Sequence, residues 1–154
     1  MPLSFSKDSA LCYTTPLDHA EELWENNCSR LDTLYPSCRV LSVSEGHVKV
    51  EMDVTEELLN PPGTLHGGCT ATLVDIVTTT ALMATERAHP GVSVDLIVSY
   101  LAAAHPGETI VIDASVLRAG RTLAYTRADV FRKKDNLLIA TAQHTKAFPA
   151  SKQK

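Results

Sequence analysis

The chain has 154 residues, of which 44% are hydrophobic and 21% charged, a balance typical of one soluble globular domain. Its formal net charge of −4 argues against nucleic acid or an anionic membrane surface as a partner. No run reaches the roughly 20 apolar residues of a membrane span. The four cysteines form no CxxC pair and have no histidine at ligand spacing, so neither a disulfide framework nor a metal site is predicted.

Compartment signals are weak in this sequence. Residues 4–9 interrupt any signal-peptide core, and Asp8 and Asp18 precede the first arginine, which disfavours a mitochondrial presequence. The last four residues do not match the peroxisomal Ser-Lys-Leu address. We therefore predict a cytoplasmic protein, with the mitochondrion as the alternative.

The first half of the chain predicts a helix followed by a hairpin. Residues 1–16 and 149–154 are expected to be flexible, and residues 17–148 to form a single domain. Apolar residues at helical spacing predict a helix from Asp18 to Leu34, which Pro36 ends. Alternation from Cys38 to Ser44 and from Gly46 to Val54 predicts two strands joined at Glu45-Gly46.

The second half predicts a buried helix followed by a sheet. From Leu65 to Thr85 the chain is apolar on almost every side, as in a buried helix. Turn signals then separate four runs that we interpret as an antiparallel meander: Val92–Leu101, Glu108–Arg118, Arg121–Arg132 and Leu137–Phe148. A sheet that wraps a long apolar helix is an α+β arrangement, although composition alone leaves other α+β folds open.

The candidate catalytic residues are concentrated in the predicted central helix. Asp75 is the single carboxylate between Thr64 and Thr85, and an ionised carboxylate is expensive in an apolar surrounding. Asp75 is either a general base or nucleophile with a raised pKa, or a residue paired with an arginine or capping a loop. Gly67-Gly68, after His66, would expose backbone N–H groups of a helix start to a developing oxyanion, or form a tight turn without a ligand.

The run Asn60-Pro61-Pro62-Gly63-Thr64-Leu65-His66-Gly67-Gly68, followed by Ala71-Thr72-Leu73-Val74-Asp75, resembles the signature of the PaaI-type hotdog-fold acyl-CoA thioesterases. The resemblance extends over roughly Val40 to Lys146. It implies a hotdog fold, in which an antiparallel sheet wraps a long central helix, with an extra helix before it here. It also implies a homo-oligomer, a dimer of hotdogs further assembled into a tetramer.

The resemblance assigns catalytic roles to five positions. The N–H of Gly67 would polarise the thioester carbonyl, and Asp75 would act as general base on a water or as nucleophile. Asn60 would orient the water or the carbonyl, Ser93 would support the same water, and His66 would serve mainly through its backbone. The alternatives are a turn residue at Asn60 and an ordinary strand hydroxyl at Ser93.

The resemblance also implies a substrate-binding region. The turn from Arg118 to Leu123 (Arg118, Ala119, Gly120, Arg121, Thr122 and Leu123) would grip the coenzyme A phosphates, unless it is a solvated basic face. Asp95 and Tyr100 would line the acyl–pantetheine cleft. No cofactor is expected, since coenzyme A is part of the substrate. Two departures are Pro61-Pro62, which stiffens the Asn60 loop, and Cys69, which we interpret as a small buried hydrophobe.

The predicted function is hydrolysis of medium- to long-chain fatty acyl-CoA to free fatty acid and coenzyme A. Alternatives are an aryl-CoA thioesterase and a non-catalytic acyl-CoA-binding hotdog protein. A hotdog hydratase would pair the Asp with a His about five residues later, and Ile76–Thr80 contains none. Gly67 and Asp75 lie about 12 Å apart along one helix, so we expect Asp75 to serve the carbonyl held by a second subunit.

Overall fold

The computed structural model describes residues 37–149. They form β1 (Cys38–Ser44), β2 (His47–Asp53), a short 3-10 turn (Glu56–Leu58), helix α1 (Gly67–Met83), β3 (Val92–Tyr100), β4 (Thr109–Ala119), β5 (Leu123–Arg132) and β6 (Leu137–Ala147). The predicted helix from Asp18 to Leu34, the flexible segment 1–16 and the tail after residue 149 lie outside the described residues. No helix of residues 37–149 is long and apolar enough to cross a membrane.

The strands form one antiparallel sheet in the order β1-β2-β4-β5-β6-β3. The predicted β1–β2 hairpin is confirmed, and so is the meander from β4 to β6. The meander prediction is wrong for β3, which lies beside β6 at the far edge. The reason is that β2 pairs with β4 along its whole length, from His47↔Ser115 to Asp53↔Thr109, and so occupies the edge that β3 would have used.

The core lies between α1 and one face of the sheet. Leu73, Val74 and Val77 of the helix are buried, as are Val50 and Ile112 of the strands beneath them. Burial of each such side chain stabilises the fold by roughly 1.5–3 kcal/mol. The helix runs along the concave side of the sheet, which confirms the predicted hotdog arrangement.

One side of α1 is not buried within a single chain. Thr72 is exposed, and Asp75 exposes 46% of its side chain. The expectation of an isolated carboxylate in an apolar surrounding is therefore wrong. His144 and Lys146 of β6 approach Asp75 on this side of the helix.

Candidate active site

Asn60 is held by a tight loop that its own side chain closes. Its Oδ1 accepts hydrogen bonds from the backbone N–H of Thr64 at 3.0 Å and from the Thr64 hydroxyl at 3.1 Å. The backbone N–H of Asn60 donates to the carbonyl of Thr64, and Gly63 adopts φ of +82°, a conformation that favours glycine. Because the oxygen of the side-chain amide is occupied, Asn60 presents its NH₂ group as a donor.

The start of α1 lies beside this loop, as the glycine pair predicts. His66 is the N-cap, and its Nδ1 accepts from the N–H of Gly68 at 2.9 Å. Within the described part of the chain, the N–H of Gly67 donates to no acceptor. Tyr100 donates its hydroxyl to the carbonyl of Gly67 at 2.7 Å. A Cβ at Gly67 would lie 3.2 Å from the Tyr100 ring, so only glycine fits without displacing it.

A cavity of about 430 Å³ opens at Asn60 and Gly67, a size typical of small-molecule sites. Tyr100 lines it too, in agreement with the prediction that this residue borders a substrate cleft. The rest of its wall combines the threonines Thr64 and Thr70 with apolar side chains, which include Leu65, Leu101, Ala102, Ala104, Val130 and Ile139. Two polar donors thus border a space whose wall is apolar in part.

Asp75 lies at a second polar cluster, formed by α1, β3 and β6. Its Oδ1 is 3.7 Å from the Nζ of Lys146 and 3.6 Å from the Nε2 of His144. Lys146 Nζ donates to the Thr79 hydroxyl at 3.0 Å and lies 3.4 Å from the hydroxyl of Ser93. Asp75 is therefore paired with a lysine. The sequence interpretation that gave Asp75 a basic partner named an arginine instead.

The same cluster joins Ser93 to a buried histidine. The Thr78 hydroxyl lies 2.7 Å from the carbonyl of Val74, and we assign its proton to that hydrogen bond. With this assignment His144 Nδ1, 2.7 Å from the same hydroxyl oxygen, carries a proton and donates it. In neutral His144 the other nitrogen, Nε2, is an acceptor, and it receives the hydroxyl of Ser93 at 2.9 Å.

The charge state of the cluster follows from burial. Burial lowers the pKa of His144, and the nearby Lys146 cation lowers it further, against the opposing effect of Asp75 and Asp95. Neutral His144 and Asp75 form no ion pair, because both facing atoms are acceptors. Burial also lowers the pKa of Lys146, while Asp75 acts to raise it.

The two groups of predicted catalytic residues are not brought together within one chain. Asn60, His66 and Gly67 lie at the start of α1, beside Tyr100 at the end of β3. Asp75 and Ser93 meet two helical turns further on, near the start of β3. Asp95 is exposed on β3, between Ser93 and Tyr100.

The turn from Arg118 to Leu123 joins β4 to β5 and is largely exposed. Leu123, Ala147 and Val92 are neighbours across β5, β6 and β3, so this turn lies at the same end of the sheet as Ser93. Arg87 holds it, since its guanidinium donates to the carbonyls of Gly120 and Arg121. The same guanidinium stacks 3.7 Å above the ring of Phe148.

Sequence reasoning missed His144, Lys146 and the bridging role of Arg87. The sequence did contain a signal for His144 and Lys146. In β6 the inward positions are Ala140, Ala142, His144 and Lys146, all buried, so the alternation places two ionisable side chains on the core face. Inward-facing polar residues of a strand indicate a site or a network. No local signal predicts that Arg87 reaches a turn more than 30 residues away.

Comparison with known proteins shows to which family the chain belongs. The model of the family described as "Thioesterase superfamily" matches residues 62–139. Acyl-coenzyme A thioesterase 13 from Homo sapiens is 52% identical over 107 residues, which cover 70% of this chain and 76% of the human protein. The chain belongs to the thioesterase superfamily. It is a thioester hydrolase.

Solved structures of other thioesterases agree with the fold. Zebrafish thioesterase superfamily member 2 superposes with a TM-score of 0.82 at 42% identity, covering 88% of this chain and all of that one. The protein smu.793 from Streptococcus mutans, solved with acetyl CoA bound, has a TM-score of 0.65 at 26% identity. That match covers 72% of this thioesterase and 88% of the bacterial chain.

Proposed function

We propose that this thioesterase hydrolyses medium- to long-chain fatty acyl-CoA to free fatty acid and coenzyme A, in sites shared between two copies of the chain. The human relative is an acyl-coenzyme A thioesterase by name, and the S. mutans relative binds acetyl CoA. These names support a coenzyme A thioester as the substrate. The shared site is supported by the position of β3.

The main support for the shared site is that β3 reaches both groups of predicted catalytic residues and has one edge that no described strand covers. Among the described strands, β3 pairs only with β6. It exposes Val92, Val94 and Ile97 by 52%, 57% and 60%. An exposed apolar edge strand invites pairing with another strand. A second copy of β3 is the natural partner, because isologous contacts are the commonest in homo-oligomers.

Antiparallel pairing of two β3 edges would assemble a complete site. Ser93 and Tyr100 lie about 23 Å apart along the strand at 3.3 Å per residue. A two-fold axis near the strand centre places the Ser93 end of one chain beside the Tyr100 end of the other. Asp75 of the partner subunit then approaches the carbonyl held at Gly67. Such a dimer is the minimal active unit, and a tetramer would contain two of them.

In this site the residues perform a direct hydrolysis. The N–H of Gly67 and the amide NH₂ of Asn60 donate to the thioester oxygen, where negative charge develops. Asp75 of the partner subunit takes a proton from a water, whose oxygen attacks the carbonyl carbon. The carbon–sulfur bond then breaks, and coenzyme A leaves as a thiolate that takes up a proton. Ser93, whose proton is directed to His144, offers its oxygen to orient the water.

The cavity supports an alkyl acyl group. The apolar part of its wall begins at Asn60 and Gly67, where the carbonyl would be held. Each buried methylene contributes about 0.8 kcal/mol, equivalent to about a fourfold gain in binding. We expect kcat/KM to rise with acyl length until the cavity is full. A panel from acetyl-CoA to palmitoyl-CoA, with phenylacetyl-CoA added, measures this directly and decides between alkyl and aryl substrates.

The Ser93–His144 hydrogen bond supports a second mechanism, in which the Ser93 oxygen attacks the thioester carbonyl and an acyl-enzyme forms. His144 lacks a carboxylate on its other nitrogen, where Thr78 stands instead, so its power as a base is limited. We therefore prefer the water mechanism. Mass spectrometry of the quenched reaction distinguishes them, since only the serine mechanism adds the mass of an acyl group to the protein.

The experiment that tests the proposed function is thiol release by the Asp75→Asn variant. The substitution is nearly isosteric, so folding should persist while kcat falls by two or more orders of magnitude, as expected for the loss of a general base. Lys49→Asn, on the outer face of the sheet, is the control for a changed surface charge. Wild-type protein that binds palmitoyl-CoA without releasing thiol would be a binding protein, and this would contradict the proposal.

A further inference from the structure

Lys146 is a buried lysine that packing does not explain. Its side chain is 6% exposed, and it follows Ala140, Ala142 and His144 on the inward face of β6. Burial of an ammonium is strongly unfavourable unless it is paired and hydrogen-bonded. The groups that meet it are the Thr79 hydroxyl at 3.0 Å, the Ser93 hydroxyl at 3.4 Å and the Asp75 carboxylate at 3.7 Å.

Lys146 is also the cation of this cluster. The ionisable groups around Asp75 are His144 and Lys146 of β6, and Asp95 lies nearby on β3. Thr79 of α1 and Ser93 of β3 supply hydroxyls and no charge. Because the hydrogen-bond pattern makes neutral His144 an acceptor at Nε2, it offers no positive charge to Asp75. The electrostatic support of the carboxylate therefore comes from Lys146.

We propose that Lys146 is a positioning residue, which fixes the orientation of the Asp75 carboxylate. The proposal rests on the proposed role of Asp75 as general base. Through Thr79 the ammonium is bound to the same helix that carries Asp75, since the Thr79 hydroxyl donates to the Asp75 carbonyl at 2.7 Å. One lysine thus ties the helix, the strand hydroxyl of Ser93 and the carboxylate together.

The pH dependence of turnover should reveal this role. The charged ammonium holds the carboxylate, so turnover should fall when Lys146 loses its proton. Burial lowers the pKa of Lys146, so wild type should lose activity at an alkaline pH below the ordinary range of a lysine.

The test compares Lys146→Met, which removes the charge and keeps the length, with Lys146→Arg, which keeps a cation at every pH. For Lys146→Met we expect kcat to fall about tenfold, with KM little changed and no alkaline fall. Lys146→Arg should keep most of the wild-type kcat and also lose the alkaline fall. Lys49→Met, whose ammonium pairs with Asp113 at 2.9 Å on the outer face, should match wild type throughout.

A double-variant comparison separates this proposal from the proposed function. If Lys146 acts through Asp75, Lys146→Met should lower kcat about tenfold in wild type and little further in Asp75→Asn. A Lys146→Met variant that has the wild-type kcat, or that keeps the alkaline fall, would overturn the role of Lys146. Full turnover by Asp75→Asn would instead overturn the proposed function.

Discussion

The hydroxyl of Tyr100 donates to the carbonyl of Gly67 at 2.7 Å and thereby ties the last residue of β3 to the first residue of α1. At the other end of the same strand, Ser93 donates to His144 in the cluster that contains Asp75. One edge strand thus connects the start of α1 to the cluster around Asp75, and the proposed shared site uses both ends of that strand.

His144 should make the stability of the protein dependent on pH. Burial lowers the pKa of His144 below its usual 6.5, so the unfolded chain binds a proton there that the folded chain does not. Stability is therefore greatest above about pH 6.5 and falls as the pH drops below that value. The loss levels off once the pH lies below the pKa of His144 in the folded protein.

Urea unfolding between pH 8 and pH 5 measures this effect. The His144→Gln variant should lose less stability over the interval than wild type. His47→Gln, at a partly exposed contact with Asp113, serves as the control for replacement of a histidine. Parallel stability curves for wild type and His144→Gln would show that His144 does not drive the dependence.

Arg118 and Arg121 should act on coenzyme A recognition. Both are exposed and flank the β4–β5 turn, at the end of the sheet where Ser93 lies. Replacement of both by alanine should raise KM for acyl-CoA severalfold and weaken its salt dependence, because ion pairs with phosphate are screened by salt. A thioester truncated to exclude the nucleotide should react equally with both proteins. An unchanged KM for the full substrate would leave these arginines as a solvated surface.

Arg87 should affect recognition indirectly, by holding the turn between those arginines. Its guanidinium donates to Gly120 and Arg121 carbonyls and stacks on Phe148. We expect Arg87→Gln to raise KM for acyl-CoA severalfold and no more than the double alanine replacement does, because it acts only by releasing the turn that carries those arginines. kcat should change little. Arg39→Gln, whose guanidinium pairs with Glu51 far from the turn, is the control.

Local patterns predicted much of the fold correctly. Alternation predicted the strands to within a few residues, and the apolar run predicted α1, because each element buries side chains at its own period. Strand order was not predictable this way: the place of β3 depends on β2 pairing with β4, a contact between distant segments. The apolar run from Leu65 to Thr85 likewise did not indicate that one side of α1 would be exposed within a single chain.

In the candidate site, too, the sequence predicted some residues and missed others. Asn60, Gly67, Asp75 and Ser93 were identified from a motif and its resemblance to a family. His144 and Lys146 belong to no such motif, and their role depends on β6 lying between β5 and β3. The inward alternation of β6 was a readable signal for them. The Arg87 bridge required the folded structure, since its acceptors are backbone carbonyls that any residue type could offer.

The most direct measurement of the shared site mixes two inactive variants, Asn60→Ala and Asp75→Asn, by unfolding and refolding them together. In each mixed dimer one site collects both substitutions and the other has neither. With random pairing, activity should return to about a quarter of wild type per chain. If native mass spectrometry detects mixed dimers while the mixture stays as inactive as its parents, Gly67 and Asp75 do not act across the interface.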